Sequence, residues 1–397
     1  MKKDTPKYLL GLSVLIGCLF TAAAPTQAQS PGVTDKEILI GSCSALEGPS
    51  HFLGTETVTG AKAYFAMVND AGGVDGRKLK LLTYDDSYDP AKAEGCFNRL
   101  MEQKVFGLGF FVGTPTAVKY IPMAESNKVP LVGLFTGAQT LYVPLRHWIV
   151  NVRASYFDET REQIDGIWGT LGYKKIGVIY PEDAFGAAVL DGVKAALKVH
   201  DAEPIAAASY QRQTAQVGSA IDTVRGAKPD AVVLVGPANT VAPILKQSHA
   251  KGWKPLFLTV SFVGTDDLIN EAGTDADGIV ITQVVPPYYL TDYKTVALYR
   301  RELTKYLPSA QPNFVSLEGF VDAMVMVEGL KRAGKELTRE GLIHGIESIH
   351  ELDLGLGPEL KLNYSSREHK GFNHVLPTVV RGGRAVPFTD WSTAAPK

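Results

Sequence analysis

Regular alternation of short apolar runs with helical patterns is the feature of this chain that most constrains its fold. Strand-like runs such as 175–180 and 231–235 are separated by segments whose apolar residues recur at helical spacing. Successive strand–helix–strand units of this kind form a mostly parallel sheet with helices packed on its faces. We therefore predict an α/β fold. The other predicted strands are 37–40, 79–84, 105–112, 130–134, 148–152, 204–208, 256–260, 279–282, 360–362 and 375–381, and the main predicted helices are 91–103, 116–126, 291–306, 315–332 and 338–348.

The two halves of the chain contain a similar segment. Residues 112–118 run from a strand through a glycine turn into a helix, followed by a strand that opens with Pro130. Residues 235–241 lead in the same way to a strand that opens with Pro255. Any strand–helix–strand unit can look like this, but the repetition favours two similar doubly wound lobes. The carboxyl ends of their strands would then face a shared cleft, which is where ligands of open α/β sheets bind.

Residues 1–28 have the layout of a secretory signal peptide. A basic start is followed by the apolar run 9–20 and by small residues up to Ala28. The run is shorter than the roughly 18 to 20 residues that span a bilayer. A buried N-terminal helix is the alternative, and Cys18 also fits a lipoprotein cleavage site. We expect ordinary cleavage near Gln29 and a mature protein in the periplasm.

Charge and cysteine content exclude some partners and leave one question open. The formal net charge of −2 argues against a nucleic-acid partner.

Outside the export segment the cysteines are Cys43 and Cys96, and Cys96 lies on the apolar face of a predicted helix. An exported pair can be oxidised to a disulfide. We favour two buried thiols, with the disulfide as the alternative.

Sequence signatures of enzymes are mostly absent from the mature chain. It has no Walker loop, no Cys-x-x-Cys pair, no His-Glu-x-x-His motif and no Gly-x-Ser-x-Gly motif. Catalytic triads need not be local in sequence, so this lowers the expectation of an enzyme without excluding one. We expect a protein without enzymatic activity, cofactor or metal. Asp85, Asp86 and Asp89 could suggest a metal or acid pair, but their position after a strand and before Pro90 favours turn and helix-cap roles.

The best candidate site is the segment 113–116. Thr114 is placed as the N-cap of a helix whose first residue is Pro115. Helix N-termini present unpaired N–H groups and a partial positive charge, so a carboxylate binds there readily. The alternative is that Thr114 only caps its helix.

With these segments placed, the chain resembles extracytoplasmic solute-binding proteins of the leucine/isoleucine/valine-binding family, which serve ABC importers. The resemblance covers essentially all of the mature chain, and the order and spacing of its motifs make it specific. The motifs are Glu47-Gly48-Pro49, Thr59-Gly60-Ala61, residues 69–76, residues 84–90, Arg153-Ala154-Ser155 and Asp183-Ala184-Phe185-Gly186.

The resemblance implies two doubly wound Rossmann-like lobes that close on a small ligand, the architecture of a type I periplasmic binding protein. Lobe 1 would comprise residues 31–153 plus 287–351, and lobe 2 residues 154–286 plus 352–391. Three hinge crossings are expected near Arg153-Ala154, Val285-Pro286 and Leu352-Asp353.

The same resemblance implies the roles of particular residues. Thr114 matches a serine that holds the ligand carboxylate, and Phe185 matches an aromatic residue that closes over the ligand from the second lobe. The remaining residues implied at the cleft are Leu53, Phe135, Thr136, Gly137 and Tyr156.

Two positions depart from the family's amino-acid-binding pattern. Ser261 stands where a glutamate pairs with the ligand ammonium, and Ala238 replaces a tyrosine. A buried ammonium needs a counter-charge, which Asp183 could supply only if its side chain points inward. The family's disulfide positions correspond to Tyr88 and Gly113, so that bridge is missing.

We therefore expect a monomeric periplasmic receptor that captures an amino acid or a related small carboxylate and delivers it to a membrane ABC permease. The alternatives are a ligand-sensing partner of a kinase or chemoreceptor and, more remotely, a secreted hydrolase.

Overall fold

The computed structural model describes residues 1–5 and 30–395. The predicted signal peptide and the alternative lipoprotein site at Cys18 lie almost entirely outside these residues. Over the described ranges, no helix has both the length and the apolar character needed to cross a bilayer.

The strands, in chain order, are β1 (Glu37–Ser44), β2 (Lys78–Asp85), β3 (Gly107–Gly109), β4 (Leu131–Val132), β5 (Ile149–Val150), β6 (Ile176–Pro181), β7 (Ala206–Tyr210), β8 (Ala231–Leu234), β9 (Leu256–Thr259), β10 (Val280–Gln283), β11 (Leu352–Asp353), β12 (Lys361–Leu362), β13 (Leu376–Arg381) and β14 (Arg384–Pro387). The helices are α1 (His51–Asp70), α2 (Pro90–Glu102), α3 (Thr114–Ser126), α4 (Tyr156–Gly166), α5 (Ala184–Lys198), α6 (Gly218–Gly226), α7 (Ala238–Ala250), α8 (Thr265–Ala272), α9 (Lys294–Tyr306), α10 (Phe314–Ala333) and α11 (Arg339–Glu347).

Most of these strands belong to two sheets. The first has the order β2–β1–β3–β4–β5 and is parallel throughout. The second has the order β14–β13–β10–β9–β8–β6–β7. Strand β13 runs antiparallel to both of its neighbours, β10 and β14, and all other neighbouring strands are parallel. The predicted α/β architecture with parallel sheets is confirmed. The first sheet and the helices α1–α3 and α9–α11 are called lobe 1 below, and the second sheet with α4–α8 is called lobe 2.

The packing of α1 against α10 joins the C-terminal helices to the rest of lobe 1. Helices α1 and α10 contact each other through glycines: a Cβ atom on Gly60 would lie 1.8 Å from the carbonyl oxygen of Ser316, and one on Gly319 would lie 2.1 Å from that of Thr57. Only residues without a side chain allow this approach. The apolar faces of α1, α9, α10 and α11 therefore share one core with β1.

The chain segments that connect the lobes meet in a small apolar cluster of Ala154, Val284 and Val375. The third crossing was predicted at Leu352-Asp353, and the structure places it later. Those two residues form β11, which pairs with β12, and apolar residues up to Phe372 are buried in the core of lobe 1. The segment 352–372 therefore packs with lobe 1 rather than with lobe 2.

Cys43 and Cys96 form a disulfide, so the preference for two buried thiols was wrong. The Cα atoms of Cys43 on β1 and Cys96 on α2 lie 6.0 Å apart, a separation that suits a disulfide. The apolar face of α2 was predicted correctly. That face packs against β1 at Cys43, which the sequence pattern did not reveal.

Candidate ligand-binding site

The amino end of α3 lies at the carboxyl edge of the first sheet. Gly113 is the N-cap residue and has a φ of 98°, while Thr114 and Pro115 are the first two residues of the helix. The prediction that Thr114 caps the helix is therefore wrong by one position. A backbone with positive φ favours glycine, so Gly113 takes the cap position. The hydroxyl group of Thr114 makes no cap hydrogen bond and can serve another purpose.

Hydroxyl groups from both lobes meet at this helix end. The Oγ1 atoms of Thr114 and Thr136 hydrogen-bond at 2.7 Å, and Tyr156 Oη donates to Thr136 Oγ1 at 3.3 Å. The backbone N–H of Tyr156 donates to Gly137 O at 2.7 Å, and its ring packs 5.3 Å from that of Phe185. The structure thus brings five of the residues implied by the family resemblance into one buried group.

An aromatic cluster lies beside these hydroxyl groups, with Phe262 at its centre. The Phe262 ring centroid is 4.5 Å from that of Phe185, 5.5 Å from Phe135 and 5.8 Å from Tyr88. Leu53 is buried in the same cluster. Since Leu53, Tyr88 and Phe135 belong to lobe 1 and the others to lobe 2, the cluster spans the boundary between the lobes.

Ala238 is not part of this group. It is the first residue of α7 and packs in a different apolar cluster, inside lobe 2. The structure therefore gives no support to Ala238 as a residue of the candidate site.

Ser261 contacts a buried ionic network rather than the aromatic cluster. Its N–H donates to Glu159 Oε2 at 2.7 Å and its hydroxyl to Glu159 Oε1 at 3.0 Å. Arg153 Nη2 lies 2.8 Å from Glu159 Oε1 and also contacts Ser261 Oγ, and Thr282 Oγ1 donates to Glu159 Oε2 at 2.8 Å. Arg153 Nη1 lies 3.1 Å from Glu318 Oε1 on α10. Each carboxylate oxygen of Glu159 thus already accepts at least two donors.

Burial sets the protonation behaviour of this network. Burial raises the pKa of Glu159, and Arg153 opposes that effect. Burial also raises the pKa of Glu318 to about 7, again against the attraction of Arg153. The pKa of Asp322, one helical turn further along α10, is raised well above its usual value by burial and by Glu318. The guanidinium group of Arg153 is therefore the positive charge on which these carboxylates depend.

Asp183 does not point into the site. Its Oδ1 atom caps α5 by accepting from the N–H groups of Phe185 at 2.9 Å and Gly186 at 3.0 Å. Its Oδ2 atom forms an ion pair with Arg212 Nε at 3.1 Å. Asp183 therefore has both oxygens engaged and does not replace the missing glutamate.

The acidic residues at 85–89 have the predicted turn and cap roles. Asp85 Oδ1 accepts three backbone N–H groups, including that of Ser87 at 2.9 Å. Asp89 caps α2 by accepting from Ala91 N at 2.8 Å. Asp86 Oδ1 accepts from Tyr88 N at 2.9 Å, and burial raises its pKa to about 7. Together these bonds fix the turn that carries Tyr88.

Sequence reasoning missed Tyr88 and the Arg153 network as parts of the site. The carboxyl-edge rule does place the segment Ser261-Phe262 at the cleft, because it follows β9. Tyr88 lies within a turn whose acidic residues drew attention instead. Tyr88 and Gly113, the positions of the family's missing disulfide, are in direct contact.

Two α/β lobes, three crossings and a buried site built from both lobes are the architecture of a two-lobed solute-binding protein. Residues 37–380 match the family model described as periplasmic binding protein. The chain belongs to this family.

Individual proteins show the same relationship. The crystal structure of a possible leucine/isoleucine/valine-binding protein from Rhodopirellula baltica is 30% identical, superimposes with a TM-score of 0.86, and is matched over 99% of its length and 92% of this chain. A protein of Pseudomonas aeruginosa named amino acid binding protein is 24% identical over 267 residues, which are 66% of this chain and 70% of that protein. A fatty acid ABC transporter substrate-binding protein from Thermomonospora curvata shares the fold, with a TM-score of 0.83, 23% identity, and coverage of 91% of this chain and 94% of that one.

Proposed function

We propose that this chain is the periplasmic solute-binding component of an ABC importer. It captures a small solute with a carboxylate group between its lobes and delivers that solute, chemically unchanged, to a membrane permease. The observation that carries the proposal is the group of hydroxyls on Thr114, Thr136 and Tyr156 at the amino end of α3, next to an aromatic cluster from both lobes. The relatives named for amino acids support this class of ligand.

The polar end of the site suits a carboxylate. The first turn of a helix has N–H groups without partners inside the helix, and the helix dipole favours negative charge there. Thr114 and Thr136 add hydroxyl donors at the same place. We assign the ligand carboxylate to this end and the apolar part of the ligand to Phe135, Phe185 and Phe262.

Within the described residues, Glu159 and Asp183 are not free to pair with a ligand ammonium group. Both carboxylates border the site and are saturated by donors from the protein itself. A buried ammonium without a counter-charge is costly. We therefore favour a carboxylic acid without an α-amino group over an amino acid.

The two lobes must close around the ligand, because the residues of the site come from both lobes. Thr114 and Thr136 belong to lobe 1, whereas Tyr156 and Phe185 belong to lobe 2, and all four are buried. A ligand reaches them only when the lobes separate. Because the bound ligand touches both lobes, it favours the closed arrangement.

Matched ligands test the proposal. Leucine is compared with 4-methylpentanoate, and phenylalanine with 3-phenylpropanoate, by thermal shift and calorimetry on the purified protein. Each pair differs only in the ammonium group. We expect the acids to raise the unfolding temperature and the amino acids to have little effect. Tighter binding of the amino acids would contradict the preference for acids without an α-amino group. Binding of neither series, or chemical conversion of a bound acid, would contradict the function.

A threonine variant tests the location. Thr114→Val keeps the shape of the side chain and removes the hydroxyl, so affinity for a bound acid should fall roughly 10- to 100-fold, the value of one charge-assisted hydrogen bond. Thr223→Val on α6, where the hydroxyl donates to Ser219 O on an exposed surface, should leave affinity unchanged. Equal affinity of the Thr114→Val variant and the unmodified protein would contradict this placement.

A further inference from the structure

Tyr88 lies directly on the amino end of α3. A Cβ atom placed on Gly113 would be 1.9 Å from Tyr88 Cε2 and 3.1 Å from Cζ, the carbon that carries the hydroxyl group. The Cδ2–Cε2 edge of the ring therefore rests on the residue that caps α3. Only glycine at position 113 allows this contact.

Among the residues that the structure describes, the hydroxyl group of Tyr88 finds no hydrogen-bond partner, and the side chain is only 2% exposed. An unsatisfied buried polar group costs roughly 1 to 3 kcal/mol, so such a group calls for an explanation. Burial raises the pKa of Tyr88 well above its usual value. The phenol is therefore neutral and has a proton to donate.

Contacts from lobe 2 help to hold Tyr88 in this position. Arg212 Nη2 donates to Tyr88 O at 2.7 Å, and the guanidinium carbon lies 4.8 Å from the ring centroid. Arg212 is itself held by Asp183, and Phe262 packs against the ring from the same lobe. Contacts within lobe 1 fix the backbone of Tyr88, and the contacts with Arg212 and Phe262 add to them when the two lobes are closed.

We propose that Tyr88 is a ligand-binding residue whose hydroxyl group donates a hydrogen bond to the solute carboxylate held at the amino end of α3. The proposal rests on the function proposed above and adds the Tyr88 hydroxyl to the donors Thr114 and Thr136. It assigns a partner to the unpaired hydroxyl. It also explains why a tyrosine and a glycine meet at positions 88 and 113. Tyr88 then contributes to selectivity for acids, because a neutral amide of the same shape offers a weaker acceptor.

The test is the Tyr88→Phe variant, which removes only the hydroxyl group. Its affinity for 3-phenylpropanoate and 4-methylpentanoate should fall roughly 10- to 100-fold, as expected for one charge-assisted hydrogen bond. The unfolding temperature of the ligand-free variant should not fall, because the hydroxyl group bonds to none of the described residues. The affinity ratio between 3-phenylpropanoate and its amide should shrink.

Tyr120→Phe is the matched control. Tyr120 is also fully buried, but its ring packs on Phe111 inside lobe 1, so this variant should bind both acids as the unmodified protein does. Unchanged affinity of Tyr88→Phe, with acid binding still sensitive to Thr114→Val, would overturn the inference alone. A Tyr88→Phe variant that loses stability and affinity together would also overturn it. If the unmodified protein binds neither acid, the proposed function fails and this inference fails with it.

Discussion

Arg153 and Glu318 form an ion pair that joins the first lobe crossing to α10, with 3.1 Å between Nη1 and Oε1. The same guanidinium group pairs with Glu159 of lobe 2 at 2.8 Å. All three side chains are at most 5% exposed. One positive charge therefore balances carboxylates from both lobes inside the hinge.

Replacing this arginine should be costly. Arg153→Met leaves Glu159 and Glu318 buried without a counter-charge, and breaking a buried pair in this way lowers the free energy of unfolding by roughly 3 to 5 kcal/mol. Urea unfolding near neutral pH measures the effect. Arg161→Met on α4 is the control: the Arg161 side chain is 58% exposed, and its buried partner Asp158 keeps an ion pair with Lys370 at 2.8 Å, so this variant should cost at most about 1 kcal/mol. Equal small effects of the two variants would show that the network is not needed for stability.

Neighbouring aspartates should make opposite contributions to the pH dependence of stability. Burial raises the pKa of Asp86 to about 7, whereas an unfolded chain ionises this group near pH 4. Between about pH 4 and pH 7 the folded protein therefore keeps a proton that the unfolded chain has released. Asp86 therefore contributes fully to the free energy of unfolding below about pH 4, and this contribution is lost as the pH rises to about 7.

Asp86→Asn should reduce this loss of stability with rising pH. It should not abolish the loss, because the pKa of Glu318 is raised in the same direction.

For Asp85, burial acts to raise the pKa, but hydrogen bonds led by those from Ser87 outweigh it and lower the pKa. Asp85→Asn should instead reduce the loss of stability at acid pH. Free energies of unfolding measured across the pH range give the slope of stability against pH for each variant. Identical slopes for the two variants would contradict the opposite pKa directions of Asp85 and Asp86.

The strand–helix alternation predicted the sheets well, because buried parallel strands are recognisable from local apolar runs. Strand β3 shows the limit of that rule. Residues 105–112 read as one apolar strand, but the continuous strand covers only Gly107–Gly109, and beyond Phe110 an isolated bridge joins Val112 to Phe135. Phe110 takes a φ of 65°, and its carbonyl oxygen accepts hydrogen bonds from Ser42 and Ser44. Hydrogen bonds to distant residues, absent from any local pattern, set where the strand ends.

The candidate site was predictable to the extent that topology decides it. Thr114 and Thr136 follow neighbouring strands of one sheet, so the carboxyl-edge rule brings them together. The engagement of Glu159 by Ser261 and the contact of Tyr88 with Arg212 join residues more than a hundred positions apart. The Tyr88–Arg212 contact depends on how the two lobes meet. The Glu159–Ser261 contact lies inside lobe 2 but joins α4 to the segment after β9, and a local sequence pattern does not reveal either pairing.

The disulfide should contribute substantially to stability. Cys43 and Cys96 are 53 residues apart, and closing a loop of that length in the unfolded chain is worth roughly 2 to 5 kcal/mol. The double variant Cys43→Ala/Cys96→Ala should lose about that amount in urea unfolding. A reducing agent should destabilise the unmodified protein in the same direction and leave the double variant unaffected. Equal sensitivity of both proteins to the reducing agent would contradict the bond.

Arg212 should control how long a ligand stays bound. Its contacts with Tyr88 O and with the Tyr88 ring cross from lobe 2 to lobe 1, and they form only when the lobes meet. Arg212→Gln removes the charge while Asp183 keeps its cap of α5. Since a hydrogen bond to a charged group is worth about 1.5 to 3 kcal/mol, ligand dissociation should accelerate roughly tenfold or more, with a smaller change in the association rate.

Stopped-flow or surface-based kinetics with an acid ligand separate the two rates. Arg225→Gln on α6, away from the lobe boundary, is the matched control and should leave both rates unchanged. Small-angle scattering adds a structural measure, because the ligand-bound Arg212→Gln protein should be less fully closed than the ligand-bound unmodified protein. If dissociation is unchanged in Arg212→Gln, the cross-lobe contact does not hold the closed form, and closure must then depend on the aromatic cluster around Phe262 and on the hinge network of Arg153.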